Sequence, residues 1–354
     1  MHGHPRRVRH LATRRAALPK VTATLLVLAA ALAARATPAM AEGSAYSTLG
    51  AAGLRTGVIV DQAQCPDAEG HAWVTAPHAD GTDEGACIRY YAAGLGATNP
   101  TAVVFIHGNR LTRVYDDEGR VIRIGANPGY GRATEDSLRR AAAQQAAALR
   151  LPFVMLARPG YYGSSGIAAE QYRRREVLLL NAALDAIRQR HAIGRLAVSA
   201  QSGGGPSLGG MLALRDDLAC AVFSSALTAF DEQARALGPA RRGPPLRQAT
   251  PDAYDPIREV ASIRPGRDRR VFVIGDPGDR QIPIAAQQAY ADALQRHGIR
   301  VTAMTGTAVG ATHHSLDGTG IRAAGWCLDG LPDEEIRSLV GRGEAEYRVE
   351  GVFN

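Results

Sequence analysis

No lysine occurs after Lys20. Every later basic residue is arginine, which excludes Ser–Lys dyads and Schiff-base chemistry from the body of the chain. There is no Cys-x-x-Cys and no His-x-x-x-His, so a structural zinc site is not indicated. No apolar run reaches the roughly 20 residues that span a bilayer. No basic stripe is interleaved with aromatics, so nucleic acid is not an implied partner. There is no internal repeat, and no long low-complexity tract beyond the first 41 residues. No cofactor is implied.

The first 41 residues read as an export signal. Arg6, Arg7, Arg9, Arg14, Arg15 and Lys20 form a basic region, and the apolar run from Val21 to Ala34 follows. Ala39-Met40-Ala41 fits a small-x-small cleavage site. Thr13-Arg14-Arg15 resembles a twin-arginine signal, so both that route and the general secretory route stay open. The expected location is periplasmic or secreted, with no membrane association after cleavage. The chain has 41 Lys and Arg, of which seven precede residue 42, leaving 34 against 34 Asp and Glu. The whole-chain pI of about 9.5 therefore describes the leader, not the body.

The cysteines are Cys65, Cys87, Cys220 and Cys327. An even count in an exported chain suggests disulfides. Cys65–Cys87 is the pair favoured by position, closing a polar loop. Cys220 lies in an apolar strand and is open to two readings, a partner for Cys327 or a buried thiol.

Leu54–Val60 and Cys87–Ala92 read as early strands. Thr101–Ile106, Phe153–Ala157, Leu196–Ser199, Ala219–Ser224, Arg270–Ile274 and Val301–Met304 are short, apolar and β-prone. Helical patterns fall at Ala133–Arg150, Glu170–His191, Pro206–Leu214, Ile284–His297 and Asp333–Val340. Val114–Ile124 has the look of a small hairpin within the long connection 107–132. Strands alternating with helices imply an α/β fold with a mostly parallel sheet covered on both faces. The expected organisation is a signal at 1–41, an N-terminal extension and loop at 42–84, and one domain at 85–354. Residues 226–268 form a short insertion over the site, too short for a large lid.

Residues 195–211 organise the chain. A strand ends at Ala200-Gln201-Ser202-Gly203-Gly204, and a helix begins at once. This is a small-x-Ser-x-Gly turn, with Ala200 in place of the usual first glycine. A serine hydroxyl is a poor nucleophile without a base, and the base needs an orienting acid. His191 and His297 end helices, where a cation suits the dipole. His107 sits in a loop and reads as shaping backbone. His71 and His78 lie in the polar N-terminal loop, which leaves Gly310-Ala-Thr-His313-His314 after the last strand. His313 is preferred over His314, because Gly-x-x-His is where such loops present the base. Two adjacent histidines point apart, so they do not suggest a metal site.

For the acid, Gly275-Asp276-Pro-Gly-Asp279-Arg-Gln-Ile-Pro283 offers two candidates. Asp279 is preferred by its Asp-x-x-Ile-Pro spacing, with Asp276 capping the turn. The oxyanion needs two donors. The backbone N–H of Gly203 is one, and the backbone N–H of Asn109 is the other, with its side chain able to help. Tyr161 and Tyr162 either line a pocket or pack their loop. Gln201 is a further candidate for substrate contact.

Over roughly residues 85–330 the sequence resembles the α/β-hydrolase superfamily. Val103-Val-Phe-Ile-His-Gly-Asn109 is similar to the oxyanion strand and loop. Arg158-Pro-Gly-Tyr-Tyr-Gly-Ser-Ser-Gly166 is similar to the loop after the next strand. Asp252-Ala-Tyr-Asp-Pro-Ile257 with Asp279-Arg-Gln-Ile-Pro283 resembles the prolyl-oligopeptidase and dienelactone-hydrolase branches. That resemblance implies peptide, ester or lactone substrates. The resulting expectation is an exported serine hydrolase acting on a small-molecule ester. A peptidase with the same residues, and a hydrolase-fold binding protein without activity, are the alternatives. Oligomeric state is not legible.

Overall fold

The computed structural model describes residues 49–115, 121–238, 246, 250, 252–266 and 268–343. The expected leader lies outside them, as do residues 239–245, 247–249, 251 and 267 of the expected insertion.

The strands are β1 (His71–Pro77), β2 (Asp83–Ala93), β3 (Asn99–Ile106), β4 (Leu111–Tyr115), β5 (Val121–Ala126), β6 (Phe153–Leu156), β7 (Ile193–Gln201), β8 (Leu218–Ser224), β9 (Arg270–Gly275) and β10 (Val301–Thr305). Eight form one sheet in the order β1-β2-β6-β3-β7-β8-β9-β10, while β4 and β5 pair as a separate hairpin. β2 runs antiparallel to both of its neighbours, and the other pairings in the large sheet are parallel.

The helices are α1 (Ala51–Thr56), α2 (Pro128–Gly131), α3 (Glu135–Leu149), α4 (Arg174–Arg190), α5 (Gly205–Leu214), α6 (Phe230–Leu237), α7 (Ile284–Arg296), α8 (Asp317–Leu328) and α9 (Asp333–Gly341). α3 is held at its start by Thr134, whose hydroxyl accepts from the Ser137 N–H at 3.2 Å. Such a cap contributes about 1 kcal/mol.

β3 shows why both faces are covered. Ala102, Val104 and Ile106 point to one side, where Leu180 and Leu184 of α4, Leu208 and Met211 of α5, and Leu294 of α7 are buried. Val103 and Phe105 point to the other, among Leu138 of α3, Ile321 of α8 and Ile336 of α9. A strand buried on both faces needs apolar residues at every position, which is what 102–106 supplies. Each large side chain so buried contributes about 1.5–3 kcal/mol. This is the mostly parallel α/β sheet with helices on both faces that the sequence implies.

Two expectations need correcting, and one open reading closes. Leu54–Val60 is not a strand: Ala51–Thr56 is a short helix, ended by Gly57 at φ +77°. β1 pairs with β2 from His71–Arg89 to Pro77–Asp83, so residues 71–77 and 83–84 belong to the sheet and not to an appended loop. Of the two readings of Cys220, the structure has the disulfide. Cys220 is joined to Cys327 across the β8–α8 contact, with Cα atoms 6.3 Å apart. Cys65 and Cys87 form the second disulfide, at 5.5 Å. Among the described residues, no helix is long and apolar enough to cross a membrane, and 226–268 holds only α6 and short helical turns.

Candidate active site

β7 ends at Gln201, and the chain turns through Ser202 before α5 begins. Ser202 has φ +54°, a left-handed conformation that costs a residue with a side chain roughly 1–3 kcal/mol. The turn works only if its neighbours are bare. A methyl on Gly204 would stand 2.7 Å from the Ile106 carbonyl oxygen. A methyl on Gly108 would stand 2.7 Å from the Cβ of Ser202. The loop after β3 therefore lies directly against the serine.

His314 Nε2 is 2.8 Å from Ser202 Oγ. Its Nδ1 is 2.9 Å from Asp279 Oδ2 and 3.1 Å from Oδ1. The Asp279 side chain is fully buried, and its Oδ1 also accepts from the N–H groups of Gln281 at 2.8 Å and Ile282 at 2.9 Å. A carboxylate facing Nδ1 makes that nitrogen the donor. Nε2 is thereby left with its lone pair toward the serine hydroxyl.

The histidine within hydrogen-bond reach of Ser202 is His314 and not the preferred His313. His313 has φ +53°, so the chain bends there and the two rings diverge. The His313 ring is half exposed, with Nδ1 3.4 Å from Asp276 Oδ2. Asp276 accepts from the Gly278 and Ala308 N–H groups, each at 2.7 Å. Burial opposes its ionisation, yet those two donors and His313 outweigh it and hold the carboxyl below its usual range.

Residues 107–109 are packed tightly. His107 is buried; its Nδ1–H donates to the Gly108 carbonyl at 2.7 Å, and its Nε2 accepts from the Arg158 N–H at 3.1 Å. Burial first, and then the charges of Arg158 and Arg110, hold its pKa well below the ordinary value, so the ring is neutral. The Asn109 side chain lies against Gly203, where a methyl would come within 2.3 Å of Oδ1. Oδ1 accepts from Arg158 Nη1 at 2.8 Å, and Nδ2 donates to the Tyr172 hydroxyl. That side chain, expected to assist an oxyanion, is committed to these two neighbours instead.

The three candidates for substrate contact are all buried. Tyr161 and Tyr162 are fully buried. The Tyr161 hydroxyl donates to Gln171 at 2.7 Å, and the Tyr162 hydroxyl accepts from Arg110 Nε at 2.7 Å. Tyr162, at φ +47°, turns its ring onto His107 and Tyr130, with ring centres 4.7 and 4.8 Å apart. Both rings pack the loop. Gln201 is buried too, and its amide donates to the His314 carbonyl at 3.1 Å, tying the elbow to the histidine loop.

Sequence reasoning missed Arg158, Glu176 and Tyr172. Arg158 is fully buried, with Nε 2.5 Å and Nη2 3.3 Å from the Glu176 carboxylate. Glu176 had a visible signal. It stands on the apolar stripe of α4, in line with Leu180, Ala183, Leu184 and Ile187, where an acid needs a buried cation. Tyr172 was read as helical, but it sits before α4 at φ +73°.

A cavity of about 990 Å³ opens between the β1–β2 turn, the start of α4 and residues 252–254. Neither Ser202 nor His314 lines it, so its size says nothing about the serine's surroundings. Among the described residues, no group of three His, Cys, Asp or Glu side chains is placed to hold a metal.

No protein-family model and no curated protein matches the chain. Solved structures that resemble it include a puromycin-hydrolysing peptidase from Mycobacterium tuberculosis, 18% identical, with TM-score 0.43, covering 72% of this chain and 37% of that one. An esterase from Pyrococcus furiosus is 14% identical with TM-score 0.41, covering 78% and 91%. Est1E from Butyrivibrio proteoclasticus, with ferulic acid bound, is 13% identical with TM-score 0.43, covering 62% and 85%. The chain thus spans about a third of the peptidase's length and most of each esterase's.

Proposed function

We propose that this chain is a serine hydrolase that cleaves carboxylic esters through an acyl-enzyme on Ser202. The observation that carries the reading is the unbroken run of hydrogen bonds from Ser202 through His314 to Asp279. His314 Nε2 takes the hydroxyl proton as Ser202 Oγ bonds to the ester carbonyl carbon. The oxyanion so formed receives the backbone N–H groups of Gly203 and Asn109, and losing one such donor typically costs about 2.7–4 kcal/mol. The intermediate collapses with cleavage of the C–O bond, and His314 returns its proton to the departing alcohol. Water then adds to the acyl group, giving its proton to His314. Collapse of the second intermediate releases the acid and restores the Ser202 hydroxyl. Asp279 keeps Nδ1–H pointed away from the serine and stabilises the imidazolium. The two disulfides support an exported protein, since such bonds persist in oxidising compartments. The signal expected at 1–41, by the twin-arginine or the general route, accounts for that export.

The test is hydrolysis of p-nitrophenyl acetate together with labelling by a fluorophosphonate probe. Wild-type and His313→Ala protein should hydrolyse and label. Ser202→Ala should not label, and His314→Ala should lose at least about 10³-fold in kcat. Labelling that persists in Ser202→Ala would remove the assignment. Faster turnover of aminoacyl-peptide substrates than of short esters would replace esterase with peptidase.

A further inference from the structure

The mechanism makes no direct use of Arg158, although it is a fully buried cation beside the serine's loop. We infer that Arg158 and Tyr172 are positioning residues, which clamp the 107–109 loop in the shape that presents the Asn109 N–H to the oxyanion. The inference rests on the serine-hydrolase reading above.

The clamp follows from the sheet register. Ile106 pairs in parallel with Leu156, so the residues just beyond the two strands lie side by side. Arg158 then reaches the loop at two points. Its backbone N–H donates to His107 Nε2, and its Nη1 donates to Asn109 Oδ1. These anchors stand on either side of Gly108, the residue pressed against Ser202. Tyr172 supplies a third anchor, its hydroxyl accepting from Asn109 Nδ2.

The guanidinium is itself held from several directions. Glu176 accepts from Nε and Nη2. The rings of Tyr161 and Tyr172 flank it, with centroids 5.2 and 5.6 Å from its central carbon. Glu176 is fixed in turn by the Tyr172 N–H at 2.6 Å and the Ser207 hydroxyl at 3.1 Å. Such a fork cannot be replaced by a lysine, which is a single point charge able to serve Glu176 or Asn109 but not both with this geometry. A donor preset before charge develops needs no rearrangement during the reaction. Loosening the clamp should therefore act on kcat and leave KM nearly unchanged.

The experiment measures kcat and KM for p-nitrophenyl acetate, and Ki for phenylboronic acid, which forms a tetrahedral adduct on the serine. Arg158→Lys should lower kcat about 10–100-fold, change KM less than about twofold, and raise Ki by the same factor as kcat falls. Tyr172→Phe should do the same on a smaller scale, about 3–10-fold. In an Asn109→Ala background neither change should lower kcat more than about twofold further, because the clamped side chain is already gone. Losses that multiply in the double variants, or single variants with kcat and Ki within about twofold of wild type, would overturn the inference. Should a melting curve show that Arg158→Lys does not fold, the Tyr172→Phe and Asn109→Ala pair decides by the same cycle. A wild-type protein that neither hydrolyses the ester nor takes the fluorophosphonate would remove the underlying reading. A labelled, active wild type matched by its variants would remove only the clamp.

Discussion

Asp279→Asn is the most discriminating change at the site, because the direction of its effect follows from the donors already around the carboxylate. Oδ1 accepts two backbone N–H groups, from Gln281 and Ile282. An asparagine must keep its carbonyl oxygen there, since its amide nitrogen cannot accept from either. The NH2 group is then forced toward His314 Nδ1, where the native structure has a carboxylate oxygen at 2.9 Å. Nδ1 must become the acceptor, the ring proton moves to Nε2, and Nε2 can no longer take the Ser202 proton. The wrong tautomer at such a triad costs about 10⁴ in kcat, which is about 5.4 kcal/mol at 1.36 kcal/mol per tenfold. KM should change little, because the Asp279 side chain is fully buried behind His314. The assay is p-nitrophenyl acetate turnover at pH 7–8, with melting temperature as the folding control. Asp276→Asn serves as the comparison. That residue faces His313 and the Gly278 and Ala308 N–H groups, so kcat should fall less than about threefold. If Asp279→Asn kept a tenth of wild-type activity, or Asp276→Asn lost as much as Asp279→Asn, the assignment of acid and base would be refuted.

Gly108→Ala should fold yet lose at least about 10² in kcat, since its methyl would press on the Ser202 Cβ at 2.7 Å; wild-type turnover in a folded variant would contradict the close approach. The pKa of His71 is pushed down to about 4, by burial first and then by Arg89, and that sets a pH dependence of stability. Below pH 6.5 the unfolded chain takes up a proton that the folded chain refuses, so stability falls as pH drops from about 6.5 to about 4, by up to about 3 kcal/mol from this residue. His71→Gln should flatten the melting-temperature profile over that range; parallel profiles would show that the ring is not the cause. Removing the Cys220–Cys327 bridge with paired alanines should lower stability by about 4–5 kcal/mol in urea unfolding, about 1 kcal/mol more than removing Cys65–Cys87, because the separations are 107 and 22 residues. The reverse order would count against loop entropy as the source.

The sequence made the central strands legible because a strand buried on both faces has no polar positions, as 102–106 and 153–156 illustrate. It was silent on β1, whose burial alternates and whose flanks are rich in glycine and aspartate. It concealed α8, where Gly318, Gly320 and Gly325 make a poor helical pattern; packing against β7 and β8 and the bridge to Cys220 hold that helix in place. At the site, composition and chain order reduced the candidates to Ser202, two aspartates and two histidines. Choosing between His313 and His314 needed the backbone. Adjacent residues differ in direction only through local φ and ψ, and the +53° at His313 leaves no trace in residue type.

The two readings of Tyr161 and Tyr162 stayed open in the sequence for a related reason. A Gly-Tyr-Tyr-Gly loop gives no indication of which way its rings turn, and here they turn inward, onto the His107 ring at 5.2 and 4.7 Å. The polar residues beneath the loop were missed, although two of them carried a signal in residue type and position. An acid on the apolar stripe of α4 and an arginine at the mouth of a buried strand each have a large desolvation cost unless they meet. That mutual requirement links Glu176 to Arg158 before any distance is measured, and the loop supported by their contact is the one that lies against Ser202. Substitutions at Glu176 should therefore reach the chemistry through Arg158 and the orientation of Asn109.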